Sequence, residues 1–221
     1  MAASEGVPAV EDRSAAALGA VYQLVSRLFE EPDRETYRAL ASGEVATEMS
    51  TLLDAAGLAG ERRVPPFRPE DEYDLLCARF NDLFAVGYPD PPVPLYESAY
   101  CEDHRWEGIN VDLARAYEHF GLEIDDSRRE HHDHLVLELE FAGYLARLAA
   151  LEGGESPRLA RRDFLDRHLV PFAEDLADAI GGEVGTGMYD DVVGFLEELV
   201  RRDLTELESW SDGSDRERGP R

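Results

Sequence analysis

The sequence predicts an all-α protein, a single-domain bundle of about eight helices broken by one long Pro- and aromatic-rich loop. Three observations carry that prediction. Apolar residues recur at three- and four-residue spacing through most of the chain, the period of one helix face. No stretch sustains the alternation of a half-buried strand. Glycine and proline fall between the apolar runs, where helices stop. With 221 residues, 43% of them apolar, the chain is long enough for one packed core.

From Ser14 to Phe29, the residues Ala17, Val21, Leu24, Val25 and Leu28 keep helical spacing until Glu31-Pro32-Asp33 ends the run. Short helices follow over 33–42 and 45–56, the second stopped by Gly57 and Gly60. Behind the breaker VPPFRP, the segment EDEYDLLCARFNDLF sets Tyr73, Leu76, Phe80, Leu83 and Phe84 on one stripe. Its acidic first turn suits the helix dipole. Residues 85–110, AVGYPDPPVPLYESAYCEDHRWEGIN, hold four prolines and four aromatics. So long a connection is usually functional or disordered, and the aromatics argue against disorder. Helices then follow over 111–120, capped by Gly121, over 132–151, ending at Gly153-Gly154, over 157–180 and over 188–210. Residues 1–13 and 210–221 read as flexible ends around a folded domain of 14–209.

The 48 acidic and 22 basic residues leave a formal charge of −26, and every basic residue is arginine. Nine Tyr, nine Phe and two Trp, with clear helical patterning, exclude an acidic disordered chain. The acidity therefore reads as halophilic: carboxylates keep a folded protein soluble in a very salty cytoplasm, where salt screens their repulsion. Such a surface repels nucleic acid, and no basic stripe is present. No run approaches the roughly 18 apolar residues of a membrane span. The N-terminus has neither the basic start nor the apolar stretch of a secretory signal. Cys77 and Cys101 have no CxxC spacing, so a reduced cytoplasmic setting is the simplest reading.

The segment EHHDHLVLELEF, residues 130–141, concentrates most of the chemistry. On a helix, His134, Glu138 and Phe141 fall near one face, beside a stripe of Leu135, Leu139 and Ala142. Asp133 stands where a carboxylate can cap free backbone N–H groups. A metal site needs three or four converging ligands, and His131, His132 and His134 are too close in sequence to face one point. No GxSxG, phosphate loop or paired ExxH motif appears, so no cofactor or metal is expected. Spacing leaves two readings open. Asp133, His134 and Glu138 can form a recognition surface, or Asp133 can be a simple cap with His134 and Glu138 paired on the surface above core leucines.

The same segment resembles the signature of the TorD/DmsD/NarJ family, the maturation chaperones of molybdenum-containing oxidoreductases. That pattern, E-x-P-D-H and then E-L-x-F-M, stands here as Glu130, His132 in place of Pro, Asp133 and His134, then Glu138, Leu139, Phe141 and Ala142 in place of Met. The family's earlier element is similar to Leu83-Phe84-Ala85-Val86-Gly87 followed by Pro94-Leu95-Tyr96-Glu97-Ser98-Ala99-Tyr100, and its Y-x-x-x-G to Tyr117–Gly121. The three elements come in family order across residues 73–150.

The resemblance implies an all-helical, TorD-like fold and binding rather than catalysis. It implies a cytoplasmic chaperone that holds the twin-arginine leader of a molybdopterin oxidoreductase of the dimethyl sulfoxide reductase superfamily until cofactor insertion, before export. Asp133, His134 and Glu138 would meet the two guanidinium groups. Tyr96, Ser98, Tyr100 and Trp106 from the loop would cover the apolar stretch that follows. A nitrate-reductase-type client that is not exported is the alternative, and a small helical metal-binding enzyme the alternative of a different class. Monomer and homodimer both remain open.

Overall fold

The computed structural model describes residues 10–58, 64–70, 72–101, 106–123, 131–152 and 155–218. Among them every regular element is helical, apart from an isolated antiparallel bridge between Tyr96 and His134. The elements are α1 (Val10–Leu28), α2 (Arg34–Ser42), α3 (Glu44–Ala56), α4 (Tyr73–Phe80), α5 (Trp106–His119), α6 (Leu135–Glu152), α7 (Glu155–Phe164), α8 (Val170–Gly181) and α9 (Met188–Arg218). A π turn, Asn81–Ala85, extends α4, and a second, Leu165–Leu169, joins α7 to α8. A short 3₁₀ turn, Glu97–Tyr100, lies within the long loop.

The spine is α1 packed along α6, with α3 on the other flank of α1 and α9 against α8. Val21, Tyr22 and Val25 of α1 and Leu135, Leu139, Ala142, Leu145 and Ala146 of α6 have no exposed surface. Each fully buried aliphatic chain of this kind contributes about 1.5–3 kcal/mol. The crossing is close because glycine faces glycine. A Cβ on Gly19 would lie 2.8 Å from the Gly143 carbonyl oxygen, and one on Gly143 would lie 3.0 Å from the Gly19 oxygen. Arg147 of α6 donates to the Gly19 carbonyl at 3.3 Å and to Gln23 Oε1 at 3.1 Å, which fixes the pair in register.

Several boundaries differ from the sequence reading, each for a physical reason. α1 opens at Val10 rather than Ser14, since no Pro or Gly stands between them to stop it. α5 opens at Trp106 rather than Val111, so Trp106 belongs to a helix and not to the loop. α6 opens at Leu135, because residues 133–135 are engaged in the bridge to the loop. The 157–180 run begins at Glu155 and is interrupted by its π turn. Pro171 lacks an N–H and would crowd the carbonyl four residues back, and the wider turn before it relieves that conflict. α9 continues to Arg218, past the predicted end at Trp210. Arg158 stacks over Trp210 at 5.3 Å and Arg162 donates to Ser211 at 3.0 Å, so α7 holds this stretch of α9. Glu130, Glu102, Asp103, His104, Gly60 and Gly153-Gly154 lie outside the described residues.

Candidate functional site

The site is built where the long loop meets the start of α6. Leu135 N–H donates to the Leu95 carbonyl at 2.9 Å and Glu97 N–H to the Asp133 carbonyl at 3.0 Å. Val93 N–H donates to the Leu83 carbonyl at 2.9 Å, which ties the loop to the π turn after α4. Over this extended stretch alternate side chains point to opposite sides. Val93, Leu95 and Glu97 turn inward and are buried, while Tyr96 is half-buried on the outer side.

A cluster of carboxyl groups lies behind the bridge. Asp133 and Glu138 have no exposed surface, and Glu97 has little. His168, presented inward by the π turn before α8, places Nδ1 3.0 and 3.2 Å from the two Glu97 carboxylate oxygens. Asp133 is not the cap of its own helix. Its Oδ2 accepts the N–H of Ser98 at 3.0 Å, so it caps the 3₁₀ turn of the loop instead. His134 takes the capping role at α6, with Nδ1 accepting the Val136 N–H at 3.3 Å and its carbonyl accepting the Glu138 N–H at 3.1 Å.

Glu138 does not pair with His134 on the surface. Neither of its oxygens makes a hydrogen bond of ordinary geometry, although the Glu97 carboxylate lies beside it. Burial above all, and then the charges of Glu97 and Asp133, push the Glu138 carboxyl well above the usual range, which favours its neutral form. Tyr117 closes the cluster from α5, donating to the His132 carbonyl at 3.0 Å. Burial, reinforced by Glu138, pushes its phenol upward.

On the outer side of the bridge runs a groove of about 610 Å³. Phe29, Phe80, Phe84, Leu95 and Val136 give it an apolar wall, and Tyr96 and His134 line it with rings 4.9 Å apart, edge to face. Glu30 and Glu31, both exposed, stand at its rim just beyond the end of α1.

The seven residues singled out from the sequence therefore divide. Tyr96 and His134 line the groove. Ser98 and Tyr100 hold the loop's shape, Ser98 through Asp133 and Tyr100 by donating to the Pro94 carbonyl at 3.0 Å and packing on Phe172. Trp106 opens α5, and its side chain lies outside the described residues. Asp133 and Glu138 are sealed inside, which corrects the expectation that they meet a ligand's arginines. The carboxylates free to do so are Glu30 and Glu31, which spacing presented only as the end of α1. Glu97 and His168 were also missed; the inward alternation Val93, Leu95, Glu97 is the signal that could have found the first. Among the described residues no three His, Cys, Asp or Glu side chains are grouped to hold a metal ion. Nor is any described helix long and apolar enough to cross a membrane.

Known proteins match this chain over most of its length. The family model described as nitrate reductase delta subunit matches residues 38–178. A perchlorate reductase assembly chaperone protein from Dechloromonas aromatica is 29% identical over 197 residues, covering 85% of this chain and 88% of that protein. A selenate reductase assembly chaperone protein from Thauera selenatis is 33% identical over 175 residues, covering 76% of this chain and 91% of the relative. The fold is shared with a crystal structure described as a putative redox enzyme maturation protein from Archaeoglobus fulgidus, with a TM-score of 0.51 at 18% identity, over 85% of this chain and 93% of that one. The chain belongs to the nitrate reductase delta subunit family, in which it stands with the TorD-type assembly chaperones and not with enzymes.

Proposed function

We propose that this chain is a cytoplasmic chaperone that binds the N-terminal twin-arginine leader of a molybdopterin oxidoreductase of the dimethyl sulfoxide reductase superfamily, and holds the apoenzyme for cofactor insertion before export. The observation that carries the reading is the groove, which pairs two exposed carboxylates with an apolar wall. A leader of this kind offers the complement, two guanidinium groups followed by an apolar stretch. Glu30 and Glu31 accept charge-assisted bonds from the arginines. Phe29, Phe80, Phe84 and Tyr96 cover the apolar residues, and His134 holds the Tyr96 ring edge to face. Asp133, Glu97 and His168 act behind this surface by fixing the loop that carries Tyr96.

In near-molar salt the Debye length falls to about 3 Å, so recognition rests on contact pairs and apolar burial rather than on the overall charge. The family's description as nitrate reductase delta subunit favours a second reading, a nitrate-reductase-type client that is not exported. Capture of the chain from its own cells at native salt, with mass spectrometry of what co-purifies, tests both. A molybdopterin catalytic subunit is expected, and the presence or absence of a twin-arginine leader on it decides between the readings. No such subunit when the oxidoreductase is expressed overturns the proposal.

A further inference from the structure

The loop beside Tyr96 is fastened to the start of α6 by three hydrogen bonds. Leu135 N–H donates to the Leu95 carbonyl at 2.9 Å, and Glu97 N–H to the Asp133 carbonyl at 3.0 Å. Ser98 N–H donates to Asp133 Oδ2 at 3.0 Å. Glu97 lies between the other two loop residues and follows Tyr96 directly in the chain. Whatever displaces Glu97 therefore displaces the Tyr96 ring.

Behind this fastening three carboxyl groups share one sealed site. Glu138 has no exposed surface, and neither of its oxygens has a well-formed hydrogen bond. Asp133 Oδ1 is sealed and unpartnered as well, because Ser98 engages only Oδ2. The groups around Glu138 bring it no counter-charge. Glu97 of the loop and Asp133 at the start of α6 are carboxylates. From α5 comes the Tyr117 phenol, which burial and then Glu138 push upward. His168 of the π turn is bonded to Glu97. Asp175 of α8 adds a further carboxyl near Glu97, raised by burial first and then by Asp178, Glu174 and Glu97. An ionised Glu138 would set like charges against one another out of water, whereas a neutral one is tolerated.

We propose that this fastening is a proton-operated latch, closed while Glu138 holds its proton and opened when Glu138 gives that proton to solvent. Glu138 is carried by the spine helix and Glu97 by a loop, so repulsion between them moves the loop and withdraws Tyr96 from the groove. Closure takes up one proton, and leader affinity therefore falls as pH rises through the titration of Glu138. That consequence for the leader rests on the reading of the groove given above; the latch itself does not.

The test uses the full chain at high salt, from about pH 5 to about pH 9, the span over which buried carboxyls titrate. Two quantities are followed. One is the affinity for a synthetic twin-arginine leader peptide. The other is hydrogen-exchange protection of the Glu97 and Leu135 amides without peptide, corrected for the intrinsic effect of pH. In the native chain both fall together, the affinity by up to about tenfold per pH unit. In Glu138→Gln, which cannot ionise, both stay level, and Glu138→Met gives the same result should the glutamine variant fold poorly. Parallel affinity profiles in native chain and variants overturn the proposal and assign the pH dependence to groove residues such as His134. Amide protection that stays level with pH in the native chain overturns it too. A native chain that binds no leader at any pH sinks the leader reading, and the amide protection still decides the latch.

Discussion

Among the described residues, two clusters of buried polar groups are sealed from water, and they balance their charges differently. In the first, Tyr22 donates to Asp203 at 2.7 Å and Arg161 to Asp203 at 3.1 Å, so one carboxylate faces one guanidinium. In the second, Glu97, Asp133 and Glu138 crowd together and His168 is bonded to Glu97 alone. The first joins α1, α7 and α9 and is architecture. The second lies directly behind the bridge that positions Tyr96 and His134. Natural folds tolerate such imbalance mainly where function asks for it.

The largest difference should appear on breaking each cluster. Asp203→Ala leaves Arg161 buried without its partner and should cost about 3–5 kcal/mol in urea unfolding at high salt. Glu138→Met should act in the opposite direction. It removes a carboxyl that lacks a well-formed hydrogen bond, and stability should rise by about 1–3 kcal/mol. Comparable losses in both variants would erase the distinction.

pH sharpens it further. The folded pKa of Glu138 is raised, so its contribution to stability is fully present below the unfolded value, about pH 4, and is lost as pH rises through the folded value. Burial raises the Asp203 carboxyl too, so it slopes the same way. The informative quantity is the difference between native chain and Glu138→Gln, in which the downward slope above about pH 4 should shrink. Identical profiles would mean that Glu138 ionises freely. For client binding, Tyr96→Ala and a paired Glu30→Gln, Glu31→Gln variant should each weaken leader affinity about tenfold in peptide titrations. The smallest effect belongs to the exposed pair of Glu174 and Arg201, 2.8 Å apart. Glu174→Gln should change stability by less than about 1 kcal/mol and leader binding not at all.

The helices were legible because amphipathic periodicity alone places them, and α2, α3 and the core faces of α1 and α6 follow it closely. The site was legible only in part. Tyr96 and His134 could be singled out from their motifs, but whether a motif residue faces inward or outward is decided by tertiary pairing. Asp133 has the better local propensity for a cap, yet Ser98 of the loop claims its carboxylate, and His134 takes the cap one residue later, before α6 opens at Leu135. Glu138 has the spacing of a surface partner for His134, and only the packing of the loop, with Glu97 buried beside it, turns it into a core residue. Glu30 and Glu31 come from a helix end a hundred residues away in sequence from His134. No local signal joins them to the signature.

The groove is the central claim, and site-directed photocrosslinking tests it most directly. A benzophenone amino acid placed at Tyr96 should crosslink the leader of the captured catalytic subunit, while the same group at Leu151, 85% exposed and outside the groove, should not. Crosslinks to the leader of equal yield from both positions, or from Leu151 only, would contradict a binding site between the loop and the start of α6.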